Sequence, residues 1–417
     1  MRSSLLFSGI VLLVIAMLTA CGGSPPAPSS EAAPPEAATA ETSNDEAATA
    51  DLAALKTAAL QTYADIVFAG YEDAYNLALE LQTKINEFVE NPSEETQQAA
   101  KEAWLAAREP YGQTEAFRFY GGPIDDEDGP EGILNAWPLD EAYVDYVEGD
   151  EVAGIINNTD EYPEINQELL VSLNEAGAEE NISVGYHAIE FLLWGQDLYE
   201  DSAGQRSYTD YVTDGSGTAE NQARRAQYLS LTADLLVSHL AELKDAWDPA
   251  GADNYRAGFL AMEPDAALQY VLTGIGVLSK SELAGERIFT AYDNQDQEDE
   301  HSCFSDNTHR DIITNNQGIA NVYRGSYTRP DGSVVSGPSL AEVVEAANPE
   351  LNQQMITLLD QSVAQVNAIH VPFDQAIVLA DERPKVLEAV MSLQDQGDKV
   401  AEIAGVLGVT INTALPE

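Results

Sequence analysis

Between residues 52 and 89 the chain holds no proline and repeats its apolar residues every third or fourth position. One face of a long α-helix satisfies that spacing and a strand does not. Asn91, Pro92 and Ser93 end the run, and the acidic residues after them suit the first turn of a second helix. The same reading predicts helices over 93–108, 164–174, 182–194, 220–247, 265–289, 308–323 and 340–380, with two short ones closing the chain. Only 327–335 reads as a hairpin or turn, with Pro330, Asp331 and Gly332 at its tip. No strand-alternating series competes, so the fold class is all-α, with long amphipathic helices packed as antiparallel bundles. About 365 residues remain for folding, more than one core usually spans, which predicts two packed bundle halves, 51–205 and 206–417. The polar loop 199–217 lies at their boundary and has the composition of a functional surface loop.

The N-terminus carries an address. Residues 5–18 are an apolar stretch of signal-peptide length behind Arg2, and Leu18, Thr19, Ala20 and Cys21 resemble a lipoprotein processing site. Residues 1–20 thus read as a lipoprotein signal peptide and Cys21 as the lipidated first residue of the mature chain. The protein is then expected outside the cytoplasm, in the periplasm or at the cell surface, touching a bacterial membrane through its lipid anchor only. A permanent membrane span is the competing reading, for which the stretch is short. Residues 21–50 are rich in Pro, Ala, Ser and Glu and hold no aromatic residue, the composition of a disordered acidic tether.

The chain has 71 acidic and 19 basic side chains, a formal net charge of −52. It cannot assemble a basic patch, so nucleic acid is excluded as a partner. The charge reads first as a solubility device, and it also concentrates cations near any concave acidic site. There are two cysteines; with Cys21 lipidated, Cys303 has no partner for a disulfide, and it reads as a packed small residue or a soft metal ligand.

Chemistry concentrates in two stretches. In Gly185-Tyr-His-Ala-Ile-Glu-Phe-Leu-Leu-Trp-Gly-Gln-Asp197, His187 and Glu190 fall three apart on one helix face. An imidazole nitrogen and a carboxylate oxygen can there converge on one cation, or the glutamate can simply cap a buried histidine. The second stretch, residues 296–311, packs His301, Cys303, Asp306, His309 and Asp311 together. Asp306 and His309 stand three apart at a predicted helix start, which makes them candidate ligands, and Ser305 is placed to cap that helix. Arg108 and Arg287 are rare cations in an acidic chain, expected to pair with inward carboxylates and so orient ligands as a supporting layer.

Other classes fare less well. His-Glu-x-x-His is absent, so a zinc peptidase lacks its usual machinery, and so are Gly-x-Ser-x-Gly, a Gly-Lys-Ser/Thr phosphate loop and Cys-x-x-Cys. The acidic runs 125–129 and 293–300 fail the EF-hand pattern; both read as solvated loop charge, though either could hold a loose hard cation.

Gly185-x-His187-x-x-Glu190 followed by Leu-Trp-Gly-Gln-Asp, then Glu282-Leu-Ala-Gly-Glu-Arg287 and His301-Ser-Cys-Phe-Ser-Asp-Asn-Thr-His309, resembles the imelysin-like proteins, in particular their iron-regulated protein A branch. Trp104 to Arg108, Glu115 to Phe117 and Ala136 to Asp140 extend the resemblance over nearly all the chain after the leader. It implies four-helix-bundle-like halves with the His-x-x-Glu motif near their interface, and it adds Glu115 to His187 and Glu190 as a core ligand set. It also implies an iron role, making the expected function transition-metal binding, iron first with zinc or copper as alternatives, for iron uptake or delivery beside an iron-transport component. The family is named for a peptidase, yet one histidine and one carboxylate put that activity in doubt. A metallopeptidase or metal oxidase is the rival class, and a haem- or peptide-binding surface protein a third.

Overall fold

A computed structural model describes residues 40–416. The signal peptide and Cys21 lie outside the described residues, and the first helix begins inside the stretch expected as tether. The main helices are α1 (Ala40–Glu90), α2 (Glu94–Thr114), α3 (Gly185–Trp194), α4 (Gln222–Ala246) and α5 (Pro264–Val277). A π-helical segment, Leu278–Phe289, continues α5. The remainder are α6 (Thr308–Arg324), α7 (Leu340–Ala347), α8 (Pro349–Val366), α9 (Phe373–Val378) and α10 (Arg383–Val406).

The long periodic run lies within α1. Leu60, Ala64, Val67, Tyr71, Ala74, Ala78, Leu81, Ile85 and Phe88 are all buried, spaced alternately four and three apart, the pattern of a helix that keeps one seam against a neighbour. That neighbour includes α4, which runs antiparallel. Tyr63 meets Trp247 edge-to-face, and further along α1 Gln82 donates to Asp234 at 2.7 Å.

Helices α2 and α6 come from opposite sides of the boundary placed at 205/206, and they pack directly, within a compact unit spanning Ala48–Glu417. They run in the same sense: Glu109 pairs with Arg310, Arg108 with Asp311, and Asn315 donates to the Gly112 carbonyl at 3.0 Å. The crossing is close because Gly318 has no side chain, and a Cβ there would run into the Gln113 carbonyl oxygen. Gly318→Ala should therefore cost about 1–3 kcal/mol of stability despite alanine's better helix propensity. Chemical denaturation reads this out, and an unchanged midpoint would mean that the crossing has slack.

Several elements differ from the sequence reading. α2 continues through Pro110 to Thr114; the proline removes one helical hydrogen bond, while Pro110, Tyr111 and Thr114 are buried. The stretch 340–380 is broken at Asn348, whose backbone Pro349 holds extended and whose side chain accepts from Leu351 N to cap α8. The chain closes with the single long helix α10, held in one piece by buried Val386, Val390, Leu393, Val400 and Ile403 at helical spacing. The hairpin lies where expected, pairing Tyr327 with Val335 around Pro330, Asp331 and Gly332. Among the described residues no helix is long and apolar enough to cross a membrane.

Candidate functional site

Every residue of α3 is buried. It enters the core through Gly185, at φ +88°, where a Cβ would lie 2.7 Å from the Leu134 carbonyl oxygen; only glycine tolerates both demands. Two and five residues on, His187 and Glu190 are 1% and 0% exposed, with His187 Nδ1 3.0 Å from Glu190 Oε2. The other oxygen, Oε1, accepts from Ser305 N at 2.9 Å and Ser305 Oγ at 2.6 Å. Ser305 thus does not cap α6, whose N-cap is Asn307 without a side-chain cap bond; it supports Glu190 instead. Burial pushes Glu190 up to about 8 against the pull of the Ser305 hydrogen bonds. His187 is held well below its usual range by burial and by His301 and Arg108 nearby.

A second imidazole stands beside the first. The rings of His187 and His301 meet edge-to-face at 4.8 Å, and Trp137 covers His301 at 5.6 Å. His301 Nδ1 lies 2.8 Å from Asp311 Oδ2, which also accepts from Ser302 Oγ at 2.5 Å. Asp311 Oδ1 accepts from Arg108 Nε at 3.2 Å. Burial opposes charge on Asp311, yet Arg108 and the His301 hydrogen bond hold it well below the usual carboxylate range. An ionised carboxylate only accepts, so His301 carries its proton on Nδ1 and leaves Nε2 a lone pair. Burial and the Arg287 charge lower His301 to about 4, so it is neutral at pH 7.

In both histidines Nδ1 is engaged by a carboxyl group, ionised at Asp311 and held neutral at pH 7 at Glu190. That arrangement fixes tautomer and orientation and is the usual second layer behind a metal-bound histidine. At His187 the remaining nitrogen, Nε2, is buried without any partner. Whether it carries the lone pair or the proton, leaving it unmet costs about 1–3 kcal/mol.

The other expected residues fall elsewhere. Glu115 is buried and fully engaged: Arg287 and Arg118 each donate to Oε2 at 2.8 Å, and Asn135 donates to Oε1 at 3.3 Å. Burial is overcome by these two arginines, which bring Glu115 down to about 2. Both of its oxygens are thus engaged by donors of the protein itself. Arg108 and Arg287 both pair with inward carboxylates, Asp311 and Glu115. Asp306, at φ +57°, and His309 lie partly exposed, and His309 Nδ1 contacts the Asp306 carbonyl at 3.0 Å. Among the described residues no group of three or more His, Cys, Asp and Glu side chains converges as a metal cage. The two buried imidazoles stand together, with Glu190 beside His187. Cys303 is half-buried, its thiol pushed well up by burial and by Glu190, so it is no ready thiolate.

Sequence spacing missed His301, Asp311 and Asn135 as site residues. They converge across a turn and a helix crossing, where no periodicity connects them. A sharper signal was the number of buried-type polar residues in 301–316, which no amphipathic helix needs.

The profile of the imelysin family matches residues 67–400. Iron-regulated protein A from Synechococcus elongatus is 27% identical over 360 residues, covering 82% of this chain and 83% of its own. A crystal structure described as an iron-regulated protein A precursor from Parabacteroides distasonis superposes with a TM-score of 0.66 at 20% identity, over 85% of this chain and 95% of that one. An imelysin-like protein from Psychrobacter arcticum gives 0.59 at 15% identity, over 86% and 98%. At those identities the structural likeness speaks for the fold alone. With the profile matched across most of its length, the chain belongs to the imelysin family.

Proposed function

We propose that the protein binds a transition-metal ion as cargo, iron first, and serves in iron uptake or delivery as a lipid-anchored protein outside the cytoplasm. The observation that carries this reading is the partnerless, buried Nε2 of His187 beside the neutral His301. His187 and His301 would donate nitrogen, a donor suited to iron, zinc and copper more than to calcium. Glu190 and Asp311 hold the rings by Nδ1, and Arg108 in turn fixes Asp311. The name borne by the Synechococcus relative, iron-regulated protein A, supports iron over the other metals. An iron-transport component is the partner class that fits a tethered carrier.

The test is to express residues 22–417 without the lipid, load the chain anaerobically with a mixture of iron, zinc, manganese and copper, and measure retained metal by elemental analysis. Wild type should keep roughly one ion per chain. His187→Ala should keep none while its circular dichroism stays helical, and Glu190→Gln should bind about 10–100-fold more weakly. Equal retention by wild type and His187→Ala would overturn the reading.

A further inference from the structure

The turn that brings His301 and Ser305 to the histidine pair has a second side. Near it lies a surface cavity of about 1060 Å³ whose acidic lining residues are Asp197, Glu200, Asp201, Asp296, Glu298 and Asp374, with no basic side chain among its lining residues. Most carboxylates of so acidic a chain are solvated and need no explanation. Asp374 does. It sits at the start of the short helix α9, is 6% exposed, and neither carboxylate oxygen has a hydrogen-bond partner. Behind it Glu300 is 2% exposed, and its Oε1 is likewise without a partner.

Apart from the nearby backbone amides of Asp374 and Gln375 and the more distant His370, nothing offsets the Asp374 charge, and buried carboxylates in native proteins are paired or coordinate metals. The neighbours register the imbalance. Burial, followed by the Asp374 charge, pushes Glu300 well up; burial and then Asp374 push Asp306 to about 6. Burial, with Asp306 and Asp374 behind it, takes Asp197 to about 7. Like charges without a counterion hold apart, and among the described residues no three of these groups converge at bonding distance. The space between them is large enough for an ion that keeps part of its water.

We propose that this cavity is a second cation site, in which Asp374 is the direct ligand of a hydrated hard divalent cation of the calcium class and Asp197 and Glu298 hold it through water. The donors facing the cavity are oxygens, which select hard cations over the nitrogen-preferring metals. Calcium also accepts irregular, partly hydrated oxygen shells. The site is distinct from the histidine pair and does not depend on what that pair binds.

Calcium binding to the metal-stripped chain 22–417 tests this by isothermal titration calorimetry in about 0.15 M salt, where non-specific surface attraction is screened. Wild type and His187→Ala should each show one saturable calcium site, and calcium should raise the Tm of both. In Asp374→Asn the affinity should fall at least about tenfold and the calcium-induced Tm shift should vanish. Without calcium, Asp374→Asn should melt at or above the wild-type temperature, because it removes an uncompensated buried charge; this separates lost binding from lost fold. No saturable calcium binding by wild type, or equal binding by Asp374→Asn, would overturn the proposal. Because His187→Ala is carried alongside, loss of the transition-metal site and loss of the calcium site are read separately.

Discussion

Arg108→Ala will lower the free energy of unfolding by about 3–5 kcal/mol, the range for removing one partner of a buried ion pair. The guanidinium is 1% exposed. It donates through Nε to Asp311 Oδ1 and through Nη1 to Asn135 Oδ1 at 2.5 Å, and it packs 5.0 to 5.6 Å from the rings of Trp104, Tyr111 and Tyr186. Truncation leaves Asp311 charged and dry with only His301, Ser302 and a long contact to Asn307 to meet it. The cost is dominated by that stranded charge, since the attraction of a buried pair is largely offset by its own desolvation. The double variant Arg108→Met with Asp311→Leu should accordingly recover a substantial part of the loss. Urea titrations of the wild type, the single and the double variant decide it. A double variant no more stable than the single one would show that packing around the aromatic rings, not charge, holds this crossing together.

The same arginine shows what was legible in the sequence and what was not. An acidic chain that places one of its few cations in an otherwise apolar helix segment signals an inward partner, and Arg108 and Arg287 were both readable in that way. Which carboxylate each would meet was not readable, because the pairings Arg108–Asp311 and Arg287–Glu115 cross from α2 to α6 and from the π segment back to the end of α2. Helical periodicity reports which face of an element turns inward, as it does along α1, but carries no information on register between elements distant in sequence. Glu115 illustrates the cost: the family resemblance implies it as a ligand, and the sequence does not show that Arg287 and Arg118 both donate to it. Ser305 illustrates a different confusion. A serine just ahead of a helix is the ordinary sign of a cap, but here its hydroxyl and amide are drawn to Glu190, which lacks any other donor for Oε1. Asp306 and His309 follow the i, i+3 rule in sequence, yet Asp306 lies ahead of α6 with a left-handed backbone, and His309 turns its Nδ1 to the Asp306 carbonyl.

Below pH 6.5 wild type should lose about 3 kcal/mol of stability that His301→Gln does not lose, the whole difference developing between pH 6.5 and pH 4. An unfolded chain protonates His301 near its ordinary pKa of about 6.5, whereas in the folded protein burial and Arg287 delay protonation to about 4 despite the hydrogen bond from its ring to Asp311. Over that window the unfolded state binds the proton and the folded state does not, so acid draws the equilibrium towards unfolding. Above pH 6.5 neither state is protonated and the two proteins should differ by a constant; below about pH 4 both states are protonated and the difference should again be flat. Glu190 works in the opposite direction. Its carboxyl is raised to about 8, so it contributes stability at acid pH that is lost as pH rises from the unfolded value through 8. The carboxylates near the acidic cavity whose ionisation is delayed, Asp197 and Asp306 among them, act as Glu190 does. These groups are present in both proteins and drop out of the comparison, which is why the measurement is the difference between two denaturation series across pH and not the shape of either one. Parallel curves from pH 7 to pH 4 would mean that His301 takes up its proton in the fold as easily as in water, and the neutral, lone-pair-bearing imidazole on which the metal reading depends would then be lost at mildly acidic pH.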